Sequence, residues 1–322
     1  MKVLSGLDIL SNNSSLQKKY KGNCALLCNN ASVDSNYLPA ALRFKKMFGN
    51  RFIKLFGPQH GFSTDAQDNM IETDHFIHSY LKIPVYSLYS ETRVPTDEML
   101  NGMTIGEVAL MHQKYWTKIK SNVEVIEMEH WNRAMYFEDT KLPWLLPSPN
   151  LARVESAYTF PATVVFEGTN LSEGRGTTQP LEIFGHPKID SYSYYEKHLK
   201  TSIKHSKLEG FVVRPITFLP TFHKHMNKVC GGFQIHVTDK TKFKPWRVGQ
   251  LMLREMFHYL GEDFEWLNPP YEYNYTQMPI DIINGTDLLR HWVESDKSLD
   301  ALIKFEQFET YHTQFNAIKI YI

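Results

Sequence analysis

The chain has 322 residues, enough for two domains or for one large α/β domain with an appended half. Lysine plus arginine and aspartate plus glutamate both number 35, so no net field draws the protein to nucleic acid or to an anionic membrane, and a charged ligand has to be met by a local cluster. The cysteines, Cys24, Cys28 and Cys230, make an odd count without paired metal spacing, which excludes a disulfide-stapled module and points to a reducing compartment.

The N-terminal stretch MKVLSGLDILSNNSS lacks the unbroken apolar centre of a secretion signal, and no window reaches the roughly 18 apolar residues of a membrane span, so the expected location is cytoplasmic. Cys24 to Cys28 (CALLC) reads as a buried strand. Asn36 to Phe48 carries Leu38, Ala41, Leu42 and Phe48 at helical spacing, and Arg51 to Phe56 reads as the next strand. Strand, helix and strand in so short a span predict a right-handed βαβ unit and a parallel sheet. Ligands of such sheets sit beyond the carboxyl ends of the strands, which makes Gly57-Pro58-Gln59-His60-Gly61-Phe62 a candidate site loop.

Lys82 to Tyr89 predicts a third strand, followed by a turn at Arg93-Val94-Pro95 and a helix start at Thr96-Asp97-Glu98. The chain then passes abruptly into Gly102 to Glu107, where Thr104 and Glu107 form a capping box that opens a helix to about Trp116. Val123 to Met128 reads as a strand, and the proline-rich run Leu142 to Asn150 closes the first domain, with residues 151–322 expected as a second α+β subdomain.

In that second half Thr163 to Phe166 reads as a strand end. It runs into a loop, Glu167 to Pro180, with glycines at 168, 174 and 176, two carboxylates and Arg175. Such a loop either binds a ligand, with the Arg175 fork meeting a carboxylate or phosphate, or is a turn-rich connection with a solvated Glu–Arg pair. Glu182 sits in an apolar run that reads as helical. Further elements are a helix over 192–204, a strand over 211–218, a half-buried alternating strand over 232–238, a helix over 245–260 with Pro245 in its first turn, and closing helices over 286–293 and 299–308.

His75 with His78, and His223-Lys224-His225, have no third ligand in recognisable spacing, so a metal is not expected and no cofactor is implied. Serine-hydrolase elbows and phosphate-cradling glycine patterns are absent from the sequence. What remains is acid/base work by carboxylates such as Glu167 and Glu173. Position 59, well placed for a proton donor, is an amide.

Several stretches in one order carry a resemblance: LFGPQHGF (55–62) with Asp65-Ala66-Gln67, PVYSLY (84–89), PTDEML (95–100), GMTIGE (102–107), LPSPN (146–150), EGTNLSEGRGTTQP (167–180), PTFHKH (220–225) and GFQIHVTD (232–239). Together they resemble the DUF1343 family, the NamZ-like exo-β-N-acetylmuramidases, over nearly the whole chain. The resemblance implies a Rossmann-like domain joined to a second subdomain with a cleft between them. It also implies an amino sugar or muropeptide fragment as partner and a GPEHG loop whose glutamate is the acid/base. Here that position is Gln59.

Members of the family also carry, between PTDEML and GMTIGE, a segment longer than one βαβ unit that this chain lacks, and Asn101 replaces the usual histidine. On this resemblance Gln59, Glu167 and Glu173 are the candidate catalytic positions. His60, Asp65, Asn150, Arg175 and Thr177 are the candidate substrate-binding ones, with Arg175 meeting a lactyl carboxylate. The activity implied is exo-cleavage of N-acetylmuramic acid, or its non-catalytic binding if the amide and the shortened sheet have ended turnover. A sheet that has lost strands either closes up or leaves an edge that invites a homodimer.

Overall fold

The computed structural model of the chain describes residues 1–67, 70–89, 103–304 and 315–321. The chain is a mixed α/β protein whose contacts divide it into two compact units. The first holds the described residues up to 89, then 103–149 and 315–321, and the second holds 150–304. A single cut at 150 leaves out the return of the last residues to the first unit.

The first unit opens with α1 (Gly6–Asn12), capped by Ser5 and Asp8, and a short α2 (Ser14–Gln17). Then follow β1 (Cys24–Leu27), α3 (Ala40–Phe48), β2 (Phe52–Gly57), β3 (Phe76–Ile77) and β4 (Pro84–Ser87). The strand order is β1-β2-β4-β3, with β1, β2 and β4 parallel and β3 antiparallel, so the βαβ reading of β1-α3-β2 holds. Ala41 and Phe48 of α3 bury against Phe52, Leu55 and Val85 of the sheet, each large side chain contributing about 2 kcal/mol of burial. Strand β1 is not buried as expected: Ala25 and Leu27 are exposed while Cys24 and Leu26 are half-buried, as suits an edge strand with one face turned to solvent.

Helix α4 (Ile105–Met111) starts at the predicted Thr104–Glu107 capping box and continues through a π turn at His112–Trp116. The expected strand over 123–128 belongs to no ladder of the described residues. Its Ile126 carbonyl lies against Gly6 of α1 and its Val125 against Gly106 of α4, so helices rather than a neighbouring strand take up this segment. The turn at 93–95, the helix start at 96–98 and Asn101 lie outside the described residues.

The second unit contains α5 (Val154–Thr163), β5 (Ile183–His186), α6 (Ser191–Tyr194) and α7 (Lys200–Ser206), the last two joined by a π turn at Tyr195–Leu199. These are followed by β6 (Phe211–Phe218), β7 (Cys230–Val237), α8 (Pro245–Leu260), α9 (Pro279–Asn284), α10 (Leu288–Val293) and α11 (Leu299–Ile303). The expected closing helix is seen to that point, and residues from 305 to 308 lie outside the described ones.

The sheet runs β5-β7-β6, antiparallel throughout. Because β7 is central, Phe233, Gln234 and Ile235 are all buried, and the half-buried alternation read from the sequence gives way to a strand covered on both sides. Val248, Met252 and Met256 of α8, four residues apart, face the core.

The strand expected at 163–166 is instead the end of α5 and a 3-10 turn at Val164–Gly168. Burial overrides the β propensity here. The Thr163 hydroxyl donates to the Leu181 carbonyl at 2.7 Å, and Phe166 stacks on Phe184 with ring centroids 4.4 Å apart.

Candidate functional site

In the first unit the polar turn stands where the parallel sheet predicts it, beyond Gly57 at the carboxyl end of β2, which is flanked by β1 and β4. The chain folds back at once, and a Cβ on Gly57 would come 2.7 Å from the Phe62 nitrogen. His60 and Gly61 both adopt left-handed backbone angles, with φ of 67° and 78°. His60 Nδ1 lies 2.8 Å from the Ala66 carbonyl. A carbonyl can only accept, so the ring donates through that nitrogen. Gln59 is half-buried and Asp65 is exposed.

In the second unit the glycine-rich loop closes around its own charges. Gly174 and Gly176 have φ near 80°, and a Cβ on Gly176 would meet the Phe222 backbone at 2.6 Å, so the loop lies directly on the 220–225 segment. That approach carries His223 and Lys224 to Glu173. Arg175 donates through Nη1 to Glu173 at 2.7 Å and through Nη2 to Glu167 at 2.6 Å. Lys224 Nζ stands 3.0 Å from the other Glu173 oxygen and also donates to the Phe166 and Leu171 carbonyls. His223 Nδ1 is 3.2 Å from Glu173, and the Tyr271 hydroxyl donates to Glu167 at 2.8 Å.

Glu167, Glu173 and Arg175 are all buried. Burial alone would raise the Glu173 carboxyl, but Lys224, then the His223 hydrogen bond and Arg175, hold it well below the usual carboxylate range. Burial would lower the Arg175 guanidinium, and Glu167 and Glu173 keep it charged. Two anions thus meet two cations away from water.

This arrangement bears on two expected roles, those of Glu173 and Arg175. Glu173 is a fixed anion that accepts hydrogen bonds and has no proton to give. The amino groups of Arg175 are taken by Glu167 and Glu173, and its Nε is sealed from solvent with no partner among the described residues, so the fork is engaged within the protein. Thr177 is half-buried, its hydroxyl donating to the Gly174 carbonyl at 2.6 Å and accepting from the Gln179 N–H, and Asn150 is buried at the start of the unit. Glu182 is not in a helix. It leads into β5, where Arg153 and the Ser156 hydroxyl bind it.

The structure therefore gathers Glu167, Glu173 and Arg175 into one cluster of the second unit, while Gln59, His60 and Asp65 belong to the first. Sequence reasoning missed His223, Lys224 and Tyr271. PTFHKH drew attention as a weak metal pattern and as part of the family resemblance, with no role for His223 or Lys224, and among the described residues no group of three or more histidine, cysteine, aspartate or glutamate side chains could hold a metal ion. His225 Nε2 meets the Asn170 carbonyl at 2.6 Å instead, and its ring packs perpendicular to His186.

A parallel sheet with a polar turn at a strand end, followed by an antiparallel unit with a charge-locked glycine loop, defines a two-part α/β protein of the DUF1343 architecture. Two crystal structures of DUF1343 family proteins from Bacteroides fragilis, at 1.65 and 1.30 Å resolution, share the fold with TM-scores of 0.79 and 0.66. Each is 18% identical and covers 100% of this chain and 99% of its own. The N-terminal model of exo-β-N-acetylmuramidase NamZ matches residues 24–102 and 98–155, and its C-terminal model matches 158–321.

The chain belongs to the NamZ family. The peptidoglycan β-N-acetylmuramidase NamZ of Bacillus subtilis is 30% identical over 375 residues, covering 94% of this chain and 87% of the relative. That alignment is longer than the 322-residue chain, so the relative carries residues without a counterpart here. The two N-terminal matches meet at 98–102, where the sequence passes abruptly from PTDEML into GMTIGE.

Proposed function

We propose that the protein recognises the non-reducing N-acetylmuramic acid of peptidoglycan fragments and has lost efficient hydrolysis of it. Family membership supports the sugar, since the Bacillus subtilis relative is named for peptidoglycan and N-acetylmuramic acid. One observation carries the loss of turnover: the residue at the strand-end turn is Gln59. Glycoside cleavage requires a carboxylic acid that protonates the departing oxygen and a second group that handles water or the anomeric carbon. An amide donates a hydrogen bond but does not release its proton at neutral pH. Glu173 does not substitute for it, being locked as an anion, and Glu167 already accepts from Arg175 and Tyr271.

The test is release of 4-nitrophenol from a 4-nitrophenyl N-acetylmuramide. The wild-type chain should stay at the buffer rate, while Gln59→Glu should raise the rate by about 10²-fold or more, the usual return from a positioned general acid. Glycosidase-level turnover by the wild-type chain would overturn the loss of activity.

A further inference from the structure

The outer face of the second unit's sheet carries a groove that neither cluster above uses. Val213, Phe184, Phe233 and Ile235 point to the core, so the alternate residues face the other way. Ile183, Gln234 and Arg214 are register partners across β5, β7 and β6 and form one row on that outer face. In the next row Gly185 and Gly232 stand beside Ile216 and offer no side chains. The Phe218 ring lies on their backbone, 2.9 Å from where a Cβ of Gly232 would be. Thr177, Thr178 and Gln179 of the glycine-rich loop wall one part of this groove of about 400 Å³, and Tyr192, 64% exposed at the start of α6, walls another.

Arg214 supplies the charge of the groove. It is exposed, and its Nη2 donates to the Gln234 side chain at 2.5 Å while Nε reaches His236 Nε2 at 3.5 Å. Two acceptors on β7 thereby orient the guanidinium, and Nη1 has no protein partner among the described residues. Among the described residues no carboxylate lines the groove. An oriented, unneutralised guanidinium beside threonine hydroxyls and an exposed aromatic ring suits a ligand that joins a carboxylate to a sugar ring.

We propose that this groove binds an acidic amino sugar, with Arg214 pairing with its carboxylate, Thr178 and Gln179 meeting ring substituents, and Tyr192 covering an apolar ring face. The assignment rests on the amino-sugar reading above and moves carboxylate recognition from Arg175, whose fork is occupied, to Arg214.

The full chain would be titrated calorimetrically with N-acetylmuramic acid and with N-acetylglucosamine, which lacks the lactyl carboxylate. In parallel, arginine modification by phenylglyoxal would be followed by peptide mass spectrometry. N-acetylmuramic acid should give saturable heat and slow labelling of Arg214 about tenfold, and N-acetylglucosamine should leave the labelling unchanged. Arg214→Ala should weaken N-acetylmuramic acid about tenfold with an unshifted melt, and Tyr192→Ala should weaken both sugars. Saturable heat without protection of Arg214, and with equal affinity in both variants, would overturn the groove and leave the amino-sugar reading standing. No heat from either sugar would remove both.

Discussion

Replacing Lys224 with methionine leaves Glu173 Oε2 without its charged donor in a place closed to water. Breaking one side of a buried pair typically costs 3 to 5 kcal/mol, and Lys224→Met should lower the melting temperature by about 10 °C. A melt unchanged within a degree would show that the cluster contributes no stability. His186 behaves in the opposite sense to an ion pair: it is buried neutral. Burial, and then neighbouring His225, with Lys188 and Lys228 acting the same way against Asp263, hold it down to about 4.

In the unfolded chain His186 titrates near 6.5, so between those values the unfolded state binds the additional proton. The contribution is full above about pH 6.5 and is lost as pH falls towards 4. Urea midpoints should therefore drop between pH 7 and 4.5, and less so in His186→Phe. Sequence alone revealed Glu167, Glu173 and Arg175 as convergent charges. It did not reveal that Lys224 and Tyr271 complete the cluster, because Lys224 lies 51 residues from Glu173 and Tyr271 lies 104 from Glu167, separations with no periodic signature.

Elements that stand on a repeating pattern were legible, and elements decided by neighbours were not. Helix α8 begins at Pro245 and ends at Leu260 as its apolar spacing predicts, and β6 spans the expected 211–218. The β-branched run before the glycine loop, by contrast, forms helix because its side chains fill the core beside Phe184. The segment 123–128 belongs to no ladder among the described residues, its Ile126 carbonyl lying against Gly6 of α1 and its Val125 against Gly106 of α4. Helix α8 also carries a reversal of an ordinary rule. Gly249→Ala would gain about 1 kcal/mol of helix propensity at an open position. Here the added methyl would sit 2.3 Å from the Ala162 carbonyl oxygen of α5, so the substitution should instead cost about 1 to 3 kcal/mol, read as a lower urea midpoint. A higher midpoint would mean that α5 and α8 separate freely.

Across the molecule the buried apolar residues are unevenly shared. Among the described residues 24 form the principal cluster of the second unit and seven form that of the first, so the second unit has the greater reserve against local opening. Hydrogen exchange should leave amides of β6, β7 and α8 protected longest and those of β1, β2 and β4 exchanging sooner. Equal protection in both sheets would contradict this ranking. The α/β class and the strand-end turn were readable from the chain because βαβ spacing is local, whereas the return of the last residues to the first unit had no local mark. Among the described residues no helix is long and apolar enough to cross a membrane.

The first unit is fastened by the far end of the chain. Ile320 donates its N–H to buried Glu107, which Arg133 also binds, and the Tyr321 hydroxyl accepts from the Met128 N–H at 2.8 Å while its ring packs on Trp131. During synthesis those fastenings emerge from the ribosome only after the described residues of the second unit, 150–304. The amino-terminal unit, begun first, is thus closed only once residues 320 and 321 have been made, and a chain stalled before them would leave buried Glu107 without the Ile320 N–H and the Met128 N–H without the Tyr321 hydroxyl.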